Sequence, residues 1–465
     1  MSSAPIKTWQ LVGRSLSMAW PIAGARLIVA INNFLGLLLV AMQGHDALAA
    51  AGLIFPTVTA INIIVASILL SLSSIISRAF GAGDFLKIGA VVQQGWLLSV
   101  LLMLPSLLLL WFIKPILLAF GQDPGLVGIV QQYFHAYIWG VVPMFFNITN
   151  QQLAVGVGQQ RLAMSSTLMG SLIGLAIAYV LSFGCFGLPK LGVAGVGLGM
   201  AAQIWVGLIY LQYYFWRDRF FVQFELYRWR IRASLAYLKQ IFLLGWPIMV
   251  QVGGELSSWF LMTLFIGWLG ETALAAQQIT GQFSMLVIIP VFGFAQASGV
   301  LVGQAAGAKR YEEVGRLGRV NIGIGIVFTL IVGLIFISMP KLLSSVYLNI
   351  HDPANAETLS LVKWLFVIAA VNLFFDSMRN ITTGALRGLY DNRYPMYVSL
   401  IVIWLIGVPL GYVFAFHLHW GVFGTSIGGG IGYAIGAALL MWRWYSRYYV
   451  LMERAEQADN KAARG

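Results

Sequence analysis

Twelve apolar runs, each long enough to cross a bilayer, set the fold of this 465-residue chain before any single residue is weighed. They fall at about 15–42, 48–78, 88–112, 127–150, 160–184, 192–216, 240–268, 272–302, 315–339, 359–385, 394–416 and 421–446. A span needs roughly 20 apolar residues. In hydrocarbon the backbone must satisfy its own N–H and C=O groups, so such runs predict helices. Only 9% of the residues are charged, against roughly 25% in soluble domains. The predicted fold is an all-α integral membrane protein with twelve transmembrane helices. The first run is long, contains Arg26, Asn32 and Asn33, and lacks a small-residue cleavage pattern, so it reads as a span and not as a signal peptide. A single cysteine, Cys185, excludes an intramolecular disulfide.

The net charge of +12 raises the question of nucleic acid, and the placement of the cations answers it. Of 28 Lys and Arg, Lys114, Lys190, Lys341 and Lys363 fall at one membrane face, Arg26 and Arg379 fall inside spans, and the other 22 fall at the opposite face. The positive-inside rule makes that second face cytoplasmic, together with both termini. The basic connector Arg217–Lys239 carries Arg217, Arg219, Arg228, Arg230 and Arg232 and reads as a topology anchor. Its aromatics Phe220, Phe221, Tyr227 and Trp229 suit an amphipathic segment at the headgroups. No nucleic-acid partner is expected.

The chain repeats itself. Adding 226 to a first-half number carries Trp20-Pro21-Ile22 onto Trp246-Pro247-Ile248, Gly44 onto Gly270, Ala47-Leu48-Ala49-Ala50 onto Ala273-Leu274-Ala275-Ala276, and Gly81-Ala82 onto Gly307-Ala308. The register then slips, so that Gly156 and Met164 match Gly388 and Met396, and Gly192-Val193 match Gly421-Val422. Six spans separate each pair, an even number, so both halves insert in one orientation. This predicts two six-helix lobes related by a pseudo-twofold along the membrane normal. The expected divisions are an N-terminal lobe at 1–216, the connector at 217–239, a C-terminal lobe at 240–446 and a cytoplasmic tail at 447–465. The glycine strings Gly195-Val196-Gly197-Leu198-Gly199 and Gly428-Gly429-Gly430 fit close helix packing.

Four charges lie within spans: Arg26, Glu255, Asp376 and Arg379. A charge at mid-bilayer costs at least ~2.5 kcal/mol on insertion scales, which makes each a functional candidate. By helical rise, Arg26, Glu255 and Asp376 can all sit near the midplane. Arg379 follows Asp376 by three residues, on the same helix face. In a structural reading these two neutralise each other and join helices. In the functional reading Glu255 and Asp376 form a cation site for H⁺ or Na⁺. Burial favours a protonated carboxyl and a nearby guanidinium the ionised one, so Glu255 suits a proton carrier if it lacks an Arg partner. The histidines 45, 135, 351, 417 and 419 are scattered, and no HExxH, P-loop or nucleotide fingerprint occurs, so neither an enzyme nor direct ATP drive is expected. Ion gradients can supply the energy, at ~2.3 kcal/mol per charge per 100 mV.

With these motifs the chain resembles the multidrug and toxic compound extrusion family, in particular its NorM-like subgroup. The resemblance covers essentially the whole chain. It rests on Trp246-Pro247 followed by Glu255, on Ala275-Ala276-Gln277-Gln278-Ile279, on Val302-Gly303-Gln304-Ala305-Ala306-Gly307, and on Asp376 followed by Gly384-Ala385-Leu386-Arg387-Gly388. It implies a bilobed exporter that exchanges organic compounds for Na⁺ or H⁺, with the acidic cation ligands at Glu255 and Asp376 and no other cofactor. Gln277, Gln278 and Gln282 become substrate contacts or interhelical hydrogen-bond partners. The family often has an aspartate in the first span where this chain has Gly36, and Arg26 adds a positive charge there; pairing of Arg26 with Glu255 or Asp376 in one conformation is a further expectation. The expected setting is a monomer in a bacterial inner membrane, in contact with lipid.

The favoured substrates are amphipathic organic cations, because apolar and aromatic surfaces with a few acids suit them. Arg26 and Arg379 leave organic anions and zwitterions open. A flippase for lipid-linked precursors is the alternative of related fold; it would favour a strongly cationic cavity, and only these two arginines are available. A membrane transferase lacks an identifiable nucleophile. The charged signature that the major facilitator fold carries between its second and third spans is absent from Arg78-Ala79-Phe80-Gly81-Ala82-Gly83-Asp84.

Overall fold

The computed structural model describes residues 7–228, 235–349 and 352–462, and these are helical with short turns throughout. The long helices are α1 (Thr8–Ala41), α2 (His45–Ala66), α3 (Ser71–Gly81), α4 (Phe85–Trp111), α5 (Pro124–Gly156), α6 (Gln160–Phe183) and α7 (Val193–Arg217). They continue with α8 (Leu235–Trp268), α9 (Glu271–Gly307), α10 (Tyr311–Ser338), α11 (Ala356–Gly388), α12 (Arg393–Leu400) and α13 (Gly421–Ala462). Eleven helical stretches among the described residues are apolar and long enough to span a bilayer. A twelfth, α5, is 33 residues long but carries Gln131, Gln132, Asn147, Asn150, Gln151 and Gln152.

Helices outrun the apolar windows, because backbone hydrogen bonding propagates past the lipid boundary until a cap or turn stops it. Thus α13 continues to Ala462, through residues the sequence suggests as a tail. The second span is a composite. Between α2 and α3 a 3₁₀ turn at Ser67–Leu70 intervenes, and the spanning window falls on Ile64–Gly81. After α12 the chain widens into π-helical turns at Ile401–Gly407 and Val413–His417, on either side of Pro409. A proline inside a helix removes a hydrogen bond and crowds the carbonyl four residues back, and a wider turn relieves both.

The internal repeat is written in the backbone. Left-handed or positive φ occurs at Gly44 and Gly270 (131° and 112°), Gly83 and Lys309 (73° and 56°), Gly158 and Tyr390 (86° and 65°), and Gly192 and Gly421 (57° and 55°). Each pair follows one of the three sequence registers. Lys309 and Tyr390 hold this conformation without glycine, so the turn geometry has outlasted the residue that makes it easy.

Packing divides the chain differently from the repeat. One compact unit is Gly24–Met249; the other joins Met1–Ala23 to Val250–Gly465. Both divisions fall two residues beyond a proline, Pro21 in α1 and Pro247 in α8. The start of α1 is held within the second unit. Its Ala19 carbonyl and Ala23 lie against Gly293, and Arg14 binds Glu313 at 3.2 Å and Gln304 at 3.1 Å.

Glycine contacts explain how these units close up. In the first unit a Cβ on Gly195 would lie 2.6 Å from the Ser182 nitrogen, and one on Gly199 2.3 Å from Ala178. In the second unit the equivalent Gly424 and Gly428 approach Ala415 at 2.5 Å and Gly411 at 2.2 Å. Side chains there would hold the helices apart, which is the packing role the glycine strings suggest.

The described first part of the connector, residues 217–228, packs within the first unit. Asp218 caps the short turn Arg219–Val222 by accepting from the Phe220 N–H at 2.9 Å. Phe221, Phe224 and Leu226 are buried, and Gln93 of α4 donates to the carbonyls of Leu226 and Arg228. Protein therefore covers Phe221 of the aromatics expected at the headgroups, while Tyr227 stays partly exposed, and Gly89 of α4 offers a seat for the Phe224 carbonyl. Burial pushes the Tyr227 phenol up to about 12, which keeps it protonated as a donor to Gln212. Trp229, Arg230, Arg232 and His351 lie outside the described residues.

Candidate functional site

Three of the four intramembrane charges meet in the second unit. Arg379 on α11 reaches Glu255 on α8 through Nη1 at 2.6 Å. It binds Asp376 Oδ1 through Nη2 at 2.8 Å and Nε at 3.0 Å. The pairing with Asp376 is one helical turn long, as the spacing of three requires. The pairing with Glu255 crosses between helices, so the guanidinium bridges both acids. The two acids differ in access: the Glu255 side chain is 23% exposed and that of Asp376 11%, whereas Arg379 is 4% exposed.

Neutral groups hold this bridge in place. Gln251, one turn before Glu255, donates from Nε2 to Glu255 Oε1 and to Ser399 Oγ, both at 3.1 Å. Ser399 on α12 also accepts from Arg379 Nη1 at 2.9 Å. The Gln251 carbonyl oxygen accepts from Arg387 Nη2 at 3.0 Å, which fixes which way the amide faces. In the first π turn, Trp404 donates to the Gly254 carbonyl at 3.1 Å beside Glu255. This approach depends on a missing side chain, since a Cβ on Gly254 would lie 2.5 Å from Leu400 Cδ2. The Tyr433 ring lies 5.5 Å from the Arg379 guanidinium carbon, within cation–π range.

The charge balance follows from these contacts. Glu255, Asp376 and Arg379 together carry one net negative charge when both acids are ionised. Arg387 contributes a further positive charge, one residue removed, through Gln251. A buried ion pair is stabilising only where every remaining donor and acceptor is met. Gln251 meets several at once. Gln251→Leu is accordingly expected to destabilise the protein by about 1–3 kcal/mol, the cost of stranding buried polar partners. A lower melting temperature in detergent would show it, and Gln251→Asn, one methylene too short, should not recover it.

Of the other sequence candidates, Gln277, Gln278 and Gln282 lie on α9 and Arg26 on α1. Gln277 on α9 is half-buried and accepts from Ser426 Oγ at 3.5 Å, while Ser426 O accepts from Asn372 at 2.9 Å. Gln278 and Gln282 are exposed on the surface of α9. Arg26 is half-buried in the part of α1 that belongs to the first unit. Each acid has Arg379 as a cationic partner, the arrangement the structural reading anticipates for Asp376 and extends to Glu255. Sequence reasoning missed Gln251, Ser399 and Arg387 as parts of the network. For two of them a signal existed: Gln251 precedes Glu255 by four residues, and Arg387 follows Asp376 by eleven, three turns along one face. His135 packs within α5, its ring 5.1 Å from that of Trp111.

Comparison with known proteins places this geometry. The protein-family model MatE matches residues 21–180 and 247–413, two segments whose starts share the 226-residue offset of the repeat. A "Multidrug resistance protein NorM" of Burkholderia vietnamiensis is 32% identical over 433 residues, covering 92% of each chain. A "Probable multidrug resistance protein NorM" of Pseudomonas aeruginosa is 30% identical over 446 residues, covering 96% of this chain and 91% of its own. Among solved structures, an outward-facing multidrug resistance MATE family transporter of the MOP superfamily superposes with a TM-score of 0.84 at 20% identity, covering 97% of this chain and 99% of that one. A MATE crystal structure in the bent conformation gives 0.86 at 19% identity, covering 97% and 100%. Two matched segments in one register and relatives spanning nearly its whole length agree: the chain belongs to the MatE family.

Proposed function

We propose that this multi-pass membrane protein is a secondary antiporter that exports amphipathic organic compounds in exchange for H⁺ or Na⁺. The observation that carries the reading is the guanidinium bridge between Glu255 and Asp376. Two carboxylates sharing one directly bound arginine keep an acceptor for a small cation. The names of the relatives, multidrug resistance proteins, support an organic substrate.

The contacts suggest how coupling works. Nη1 of Arg379 occupies Glu255 Oε1, so a cation must compete with it. Protonation of Glu255 removes its charge and leaves Arg379 to Asp376 alone. Na⁺ would instead take the carboxylate from the guanidinium, with the Ser399 hydroxyl as a neutral oxygen donor beside it, while Gln251 turns its amide nitrogen toward the site. Either event changes the link between α8 and α11, helices joined here through side chains. With both termini in the cytoplasm of a bacterial inner membrane, the gradient enters from the opposite face. The favoured substrates are organic cations, which would compete with Arg379 for the same carboxylates.

Proteoliposome uptake of a fluorescent organic cation, with pH and Na⁺ gradients imposed separately, tests this. Gradient-driven movement should disappear in Glu255→Gln and in Asp376→Asn. Full activity in both variants would remove the site, and movement without either gradient would remove the antiport.

A further inference from the structure

We propose that a second site, away from the acid bridge, binds the phosphodiester headgroup of an anionic phospholipid in the cavity between the Pro340–Ser344 helix and the start of α11. The cavity has a volume of about 320 Å³. Lys341 and Lys363 line it, together with Ser360, Asp352 and the apolar walls of Pro340 and Leu359. Ser360 and Lys363 lie on one face of α11 at a spacing of three, and Lys341 faces them from the short helix.

Charge placement is what singles out this cavity. α10 is 28 residues long, about 42 Å, so its ends lie at opposite faces. Lys309, Arg310, Arg316 and Arg319 crowd the Tyr311 end, and the cavity sits beyond Ser338, at the other end. Topology disfavours basic residues on that face. Yet two of the four lysines assigned to it converge on this one cavity. Neither forms an ion pair with an acid among the described residues. Asp352 leaves the lining one net positive charge, which suits a singly charged phosphodiester.

The surroundings favour a lipid over a free anion. Leu342, Val346 and Trp364 are exposed beside the lysines, and Lys363 Nζ lies 6.0 Å from the Trp364 ring. Tryptophan and lysine together mark the headgroup level of a bilayer. An acyl chain can run along the apolar side chains while the phosphate meets the two ammonium groups; the Ser360 hydroxyl is turned to the Glu357 carbonyl at 2.7 Å. The site rests on the membrane topology proposed above but is independent of the cation chemistry.

Native mass spectrometry of the full chain in detergent, titrated with phosphatidylglycerol or phosphatidylcholine, tests the proposal. Lys341→Gln/Lys363→Gln should weaken phosphatidylglycerol binding roughly thirtyfold, from about one power of five per lysine near an anionic group. Phosphatidylcholine binding should not change, and Lys341→Arg/Lys363→Arg should bind phosphatidylglycerol as the parent does. Equal phosphatidylglycerol binding by the parent and the Gln variant would overturn the site. So would an equal loss of both lipids. Displacement of phosphatidylglycerol by millimolar inorganic phosphate would show a free-phosphate site instead and overturn the lipid assignment. Because both lysines are exposed, an unchanged melting temperature is expected, and gradient-driven transport remains a separate readout.

Discussion

Arg379→Met should be the most damaging substitution in the polar interior of this protein, costing about 3–5 kcal/mol. The guanidinium is almost fully enclosed, so solvent cannot take its place. Its loss leaves two carboxylates facing each other without the charge that holds them. Ser399 also loses a donor. Lys at this position keeps the charge but is a point donor, and one ammonium reproduces a bridge to both acids poorly. Arg379→Lys should therefore recover only part of the stability. The combined Arg379→Met, Glu255→Gln, Asp376→Asn variant should be more stable than Arg379→Met alone, because no unpaired charge remains. Thermal melts of the purified variants would decide it; additive losses would mean that the bridge contributes nothing as a unit.

Gly384→Leu is expected to be as severe for a different reason. A Cβ at this position would lie 1.9 Å from the Ala295 carbonyl oxygen and 2.6 Å from its carbon. Those are backbone atoms of α9, which cannot rotate aside. Gly299 and Gly388 continue the same contact, with a Cβ on Gly388 falling 2.4 Å from the Gly299 carbonyl. Parting α9 from α11 also shifts the helix that carries Asp376 and Arg379. Overpacking a tight interior costs about 1–3 kcal/mol where side chains can adjust, and this site should exceed that range. Loss of monodisperse protein on size exclusion is the expected result. Gly52→Ala and Gly267→Ala, where an added Cβ meets nothing within 4 Å, should be neutral in the same assay.

Much of this architecture was legible in the residues themselves. Long apolar runs have one solution in lipid, so the helices were readable, and glycine, proline and tryptophan at fixed offsets exposed the duplication. Glu255, Asp376 and Arg379 stood out because charge is rare in such runs. Other features depend on contacts distant in sequence. Ser399 is an ordinary serine until α12 brings it to Arg379. Gln251 stands one turn before Glu255, but its bonds to Ser399 and Arg387 arise only once α12 and α11 are in place. The composite second span was hidden because apolar composition does not distinguish an α-helix from a 3₁₀ turn. The burial of Phe221 was hidden for a related reason: it is as apolar against protein as it would be among headgroups.

The division of the chain after Pro21 and Pro247 bears on any attempt to make the protein in pieces. A gene cut between the repeats would yield a first fragment whose leading 23 residues belong with the body encoded by the second. The second fragment would carry the opening of α8, whose place is with the first. Neither product could complete its own interior, and each would hold a segment the other needs. The duplication supplied two copies of a design, but the finished molecule makes them mutually dependent.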